Sequence, residues 1–278
     1  MTGPSGPLSG GQSPSGPLSG GQGALRIAVA GKGGAGKTTL SSTLARLMAR
    51  RGHQVMVIDG DSNPNVAVAL GVDRQTAGAL VPLPTGLVSR KLNGATALID
   101  PVPDVMARFG TTGPDGVQVV LMAMPAHADE GCLCSAHATV SGMLADVSAT
   151  DNLVAILDLE ASPEHLSRGT TRHVDALLLV VEPYYRSYET ARRMAALAAE
   201  LPISRVAVIA NKLRSPEDAQ AIAEFCDRYD LNLDGELPFG TEVLDADRDG
   251  VPLLDYDPSG PVVAAVSKVA DRLEALKA

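Results

Sequence analysis

The chain has 278 residues, 45% of them hydrophobic, with 23 Lys+Arg against 32 Asp+Glu and a formal charge of −9. That composition supplies a sizeable core, and the acidic balance argues against a nucleic-acid partner, which calls for a basic face. No apolar run approaches 18 residues, so no transmembrane helix is expected. The first residues lack the basic and apolar regions of a secretory signal. Aromatic residues are 3% of the chain, with no Trp, too few for base-stacking platforms. Three cysteines do not make a disulfide framework. Cys132 and Cys134 stand one residue apart, too close for an easy disulfide, and the expected compartment is reducing cytoplasm.

Residues 1–23 form a separate segment. Twelve are Gly or Pro, and SGPLSGGQ occurs twice, at 5–12 and 15–22. With almost nothing apolar to bury, this stretch is expected to be a disordered tail. From Leu25 onward, short Val/Ile/Leu/Ala runs read as buried strands: Leu25–Ala30, Gln54–Asp59, Val117–Met124, Leu153–Leu159, Ala176–Val181 and Arg205–Ala210. Helical patterns cover Lys37–Arg51, Tyr188–Leu201, Ser215–Tyr229 and Val262–Leu276. Val72–Gly116 is punctuated by Pro and Gly and reads as an insertion with partial helix. The alternation predicts an α/β fold, a mostly parallel doubly wound sheet flanked by helices, in one domain over 24–278. Ligands are then expected at the carboxyl ends of the strands.

GKGGAGKT, Gly31–Thr38, follows the first strand and opens the first helix. It fits G-x-x-x-x-G-K-[ST], in which loop N–H groups wrap around phosphates. Gly33, Gly34, Ala35, Gly36, Lys37, Thr38 and Thr39 are the expected nucleotide-binding residues. Lys37 is placed to reach the β- and γ-phosphates and Thr38 to ligate Mg²⁺, with the helix N-terminus favouring an anion. Lys32 stands too early in the loop to curl back easily onto its own nucleotide. It suits a charge donor in trans, as an arginine finger is.

GKGGAGKTT resembles the deviant Walker A motif of the MinD, ParA and nitrogenase iron protein group, ATPases that sandwich nucleotide between two subunits. The resemblance implies further roles. Asp61, after the second strand, matches the aspartate that positions the attacking water, and it stands with Thr38 near Mg²⁺. Asp158 in LDLEA matches the Walker B position that holds Mg²⁺ through water. Asn211 and Lys212 match the pair used against adenine, and Pro238 begins a second base-contacting segment. The catalytic set is then Lys32, Lys37 and Asp61.

GCLCSAH at 131–137 carries Cys132 and Cys134. A CxC pair fills half of a tetrahedral shell, and two pairs across a two-fold axis complete four-sulfur coordination of Zn²⁺, Ni²⁺ or Cu(I). The CxC, LDLEASPEHLSRGT at 157–170 and VVEPYYRSYETA at 180–191 look like the CooC-type ATPases that mature nickel carbon monoxide dehydrogenase. That resemblance, spanning nearly everything from Leu25 onward, implies an ATP-state homodimer that binds Ni²⁺ or Zn²⁺ and assists a client metalloenzyme, with no nucleic acid and no membrane as partners. Two departures stand out. Ser162-Pro163 replaces a glycine, which predicts a stiffer loop and slow hydrolysis. Ser135-Ala136-His137 replaces a proline after the second cysteine. His137, His127, Asp129 and Glu130 are the further candidate ligands in this stretch. Cys226 reads as a small core hydrophobe, and the apolar stripe of Val262–Leu276 as a face packed on the sheet rather than a membrane anchor. Two other readings remain: a spatial-positioning ATPase, and an iron–sulfur electron-transfer ATPase.

Overall fold

The apolar runs become strands without polar alternation because both faces of the sheet they form are covered. The computed structural model describes residues 23–84, 86–90, 96–122, 134–162, 164–167 and 169–276. Its strands are β1 (Leu25–Gly31), β2 (Gln54–Gly60), β3 (Val88–Arg90), β4 (Thr96–Leu98) and β5 (Thr111–Thr112). They continue with β6 (Gln118–Leu121), β7 (Leu153–Leu159), β8 (Ala176–Val181), β9 (Arg205–Leu213) and β10 (Asn232–Pro238). The helices are α1 (Lys37–Arg50), α2 (Val66–Leu70), α3 (Arg74–Gly78), α4 (Val102–Phe109), α5 (Cys134–Asp146) and α6 (Glu164–Ser167). After them come α7 (Tyr185–Ala198), α8 (Pro216–Tyr229), α9 (Thr241–Asp249), α10 (Leu253–Tyr256) and α11 (Pro261–Ala275).

Eight strands form one sheet in the order β10-β9-β8-β1-β7-β2-β6-β5. Every pairing is parallel except that of the two-residue edge strand β5 with β6. Among the described residues two further strands, β3 and β4, form an antiparallel pair inside the Pro- and Gly-punctuated insertion. Successive β1 residues face opposite cores. Ile27 and Val29 join Leu40 and Leu44 of α1 and Val266 and Leu273 of α11, whereas Ala28 and Ala30 join Met143 of α5 and Met194 of α7. The apolar stripe of α11 is therefore buried against the sheet, as expected. Cys226 is buried too, and burial pushes its thiol up to about 11. Among the described residues no helix is long and apolar enough to cross a membrane.

Three differences from the sequence reading have physical causes. β9 runs on to Leu213, so Asn211 and Lys212 end the strand rather than follow it, with Lys212 in the left-handed region at φ 59°. β10, sequence NLDGELP, lacks an apolar run. It is an edge strand whose Asp234 is paired with Arg205 and whose Gly235 packs so closely under Val269 that a Cβ would lie 2.6 Å from its Cγ2. Cys134 opens α5, a helix absent from the sequence reading because its small residues (Ser, Ala, Thr, Gly) concealed it. The repeat tail (residues 1–22), Cys132, His127, Asp129, Glu130 and Pro163 lie outside the described residues.

Candidate functional site

β1 lies at the point where the chain turns outward to both sides of the sheet, with β7 on one flank and β8 on the other. A crevice forms at such a switch point beyond the carboxyl ends of the strands. The loop that leaves β1 there contains three glycines at positive φ: Gly31 at 148°, Gly34 at 77° and Gly36 at 97°. Gly36 also has no room for a side chain, since a Cβ would lie 2.3 Å from Asn211 Nδ2. Only glycine permits that backbone, which turns the loop into the first turn of α1 and leaves the helix N–H groups free for an anion.

Two strand ends deliver the carboxylates. Asp59 on β2 and Asp158 on β7 are register partners and both are buried. Asp158 accepts hydrogen bonds from Thr38 Oγ1 at 2.7 Å and Ser41 Oγ at 2.8 Å. Burial pushes its carboxyl up to about 7; Thr38, Ser41 and Lys37 oppose that rise and Asp59 adds to it. Asp59, pushed up to about 6 chiefly by burial, accepts the N–H groups of Asn65 and Val66 at 2.9 Å each and of Asp61 at 3.1 Å. It thereby fixes the loop between β2 and α2 that presents Asp61. Lys37 is buried, and desolvation lowers its pKa against the attraction of Asp158, Asp61 and Glu160. Its ammonium donates to Lys32 O at 3.4 Å.

Gly33, Gly34, Gly36, Lys37, Thr38, Thr39, Asp61, Asn211, Lys212 and Pro238 all line one cavity of about 550 Å³, within the range of small-molecule sites. Its far wall is apolar, formed by Leu237, Val243, Leu253 and Val262. Ala35 is buried behind the loop, where its carbonyl accepts Asn211 Nδ2 at 2.7 Å. Lys212 Nζ donates to Gly34 O at 2.5 Å and pairs with Glu182 at 3.3 Å. The Asn-Lys pair thus braces the phosphate loop from β9 as well as facing the cavity.

Lys32 is directed elsewhere. Its ammonium lies 5.7 Å from the Tyr184 ring centroid, and it lines a separate cavity with Tyr185, Arg186, Glu189, Thr190 and Arg193. Cys134 is exposed at the start of α5 and is held in a disulfide. The sequence reading expected no disulfide at Cys134, and a thiolate site at this cysteine requires its reduction first. Among the described residues no group of three or more metal-binding side chains is assembled. His137 is buried, with Nδ1 2.6 Å from Thr170 Oγ1 and its ring edge-to-face with His165, centroids 4.9 Å apart. Sequence reasoning missed Ser41, Asp59 and His165. The first two carried a signal, one at i+3 from Thr38 on a helix and the other as the first carboxylate of DGD.

Residues 27–253 match the CobQ/CobB/MinD/ParA nucleotide binding domain family. The carbon monoxide dehydrogenase accessory protein CooC of Rhodospirillum rubrum is 37% identical over 244 residues, 84% of this chain and 91% of that protein. An ATP-binding protein of Methanocaldococcus jannaschii is 33% identical over 82% of this chain and 91% of its own length. The septum site-determining protein MinD of Pyrococcus horikoshii, complexed with Mg-ADP, superposes with a TM-score of 0.67 at 18% identity, covering 92% of this chain and 99% of that one.

Proposed function

Because this chain belongs to the CobQ/CobB/MinD/ParA nucleotide binding family and is a P-loop ATPase of it, we propose that its ATP cycle drives a homodimeric metallochaperone. In this reading it carries Ni²⁺ or Zn²⁺ on Cys132 and Cys134 and assists maturation of a nickel carbon monoxide dehydrogenase. The observation that carries the reading is the 37% identity to CooC across 84% of this chain, in a sequence with a CxC pair.

The residues present fit a divalent cation beside the nucleotide. Asp158 is a buried carboxyl with two hydroxyl donors and Lys37 as its favourable charge, a set that an added cation completes. Thr38 and Asp158, with Asp61 nearby, would hold the Mg²⁺ that neutralises phosphate charge. Lys37 and the N–H groups of Gly33, Gly34 and Gly36–Thr39 bind the phosphates, Ala35 being turned behind the loop with its N–H on Lys32 O, and Asp61 orients and deprotonates the attacking water. Asn211, Lys212 and Pro238 flank the base end of the cavity. Lys32 leaves its own cavity, which supports delivery to the nucleotide of a second copy. Slow hydrolysis is the expectation carried by the Ser162-Pro163 sequence, since a proline ring restricts the backbone.

With a non-hydrolysable ATP analogue and Mg²⁺, the reduced full chain is expected to sediment as a dimer and to retain one metal ion per dimer. A monomer without metal under those conditions would refute the reading.

A further inference from the structure

The segment that follows Asp158 touches both ends of the molecule's chemistry. On one side it reaches the phosphate loop, where a Cβ on Gly33 would lie 3.7 Å from Ala161 Cβ. On the other side it meets α5. The His165 and His137 rings stand edge-to-face with centroids 4.9 Å apart and planes at 76°. His137 Nδ1 lies 2.6 Å from Thr170 Oγ1, and Ser141 Oγ approaches Gly169 O at 3.5 Å. His165 also packs under the end of β2, its Cε1 3.5 Å from where a Cβ on Gly60 would sit. Gly60 is the residue before Asp61. His165 is thus buried where the Asp61 loop, the Asp158 segment and α5 converge.

His137 lies three residues after Cys134, on the same face of α5. We infer that His165 and His137 form a positioning pair that carries the nucleotide state of the phosphate site to the helix opened by Cys134. A buried, close-packed aromatic contact is suited to this role because it has few intermediate arrangements. A shift at Ala161 on binding the γ-phosphate moves the His165 ring, and α5 follows through His137 and Thr170. The coupling is reciprocal, so restraining α5 alters nucleotide affinity by the same factor. The inference rests on the ATP-site reading and is independent of whether the cysteines bind metal.

Amide hydrogen exchange of residues 134–146 provides the test, in reduced, metal-free full chain with and without a non-hydrolysable ATP analogue and Mg²⁺. Nucleotide affinity is titrated separately, so failure of the ATP reading shows itself there. The wild-type chain is expected to change exchange at the start of α5 at least fivefold on binding nucleotide. His137→Ala, His165→Ala and the double variant should each bring that change below twofold, all to a similar extent, with affinity altered by no more than the lost coupling factor. Equal losses in singles and double identify one interacting pair. Thr170→Val keeps the side-chain shape and loses the hydrogen bond to His137, and is expected to weaken the response about twofold. No nucleotide effect on α5 in the wild type would overturn the inference. So would single variants that keep the full effect, or losses that add in the double.

Discussion

Thr38 donates its hydroxyl to Asp158 across 2.7 Å, joining the start of α1 to the end of β7. Residues 120 positions apart are thereby brought to one cation-binding corner, with Ser41 as a second donor one helical turn on.

The same contact leads to a pH dependence. Asp158 titrates near 7 and Asp59 near 6 in the folded chain, against an ordinary 3.8. The folded state therefore holds protons that the unfolded state has lost, so ionisation costs stability as pH rises from about 4 to 7. For Asp158 the gap corresponds to roughly 4 kcal/mol as an upper figure. Nucleotide-free protein is expected to melt at lower temperature at pH 7.5 than at pH 5.5. Asp158→Asn should flatten that slope and raise the midpoint at pH 7.5. An unchanged slope in the variant would place the titration elsewhere.

Gly36→Ala is expected to remove ATP binding while destabilising the chain by about 2 kcal/mol, the combined cost of a positive φ and a displaced hydrogen bond. The new Cβ would collide with Asn211 Nδ2 and dislodge it from Ala35 O. Isothermal titration and thermal melting read the two effects. Normal affinity in a folded variant would contradict the bracing role of Asn211.

Asp61→Asn should keep ATP binding and dimerisation and lose at least 100-fold in turnover, since an amide does not accept the proton of the attacking water. Single-turnover phosphate release is the measurement. Full activity would transfer the role to another carboxylate.

Lys32→Ala should bind ATP within threefold of the parent and fail to dimerise. Its side chain lies outside the cavity that holds Lys37 and faces Tyr184 instead. Sedimentation with the ATP analogue decides, and a Lys32→Ala dimer would remove the trans role.

The parallel sheet was legible because β1, β2, β7 and β8 are continuous apolar runs, each buried along nearly its whole length. The phosphate loop was legible because its glycines and Lys37 are required in chain order. β10 was not, because its Asp234 and Gly235 serve one salt bridge and one close contact that only the tertiary structure creates. His165 was invisible for a similar reason. It is one histidine in a polar segment until α5 brings His137 against it. The Asn211–Ala35 brace joins residues 176 apart and has no local pattern at all.

X-ray absorption on the reduced, ATP-locked chain loaded with Ni²⁺ or Zn²⁺ tests the central claim most directly. The account predicts one ion per two chains with four sulfur ligands, lost in both Cys132→Ser and Cys134→Ser and unaffected by Cys226→Ser. One ion per chain with nitrogen or oxygen in its shell, or an ion that survives either substitution, would contradict it.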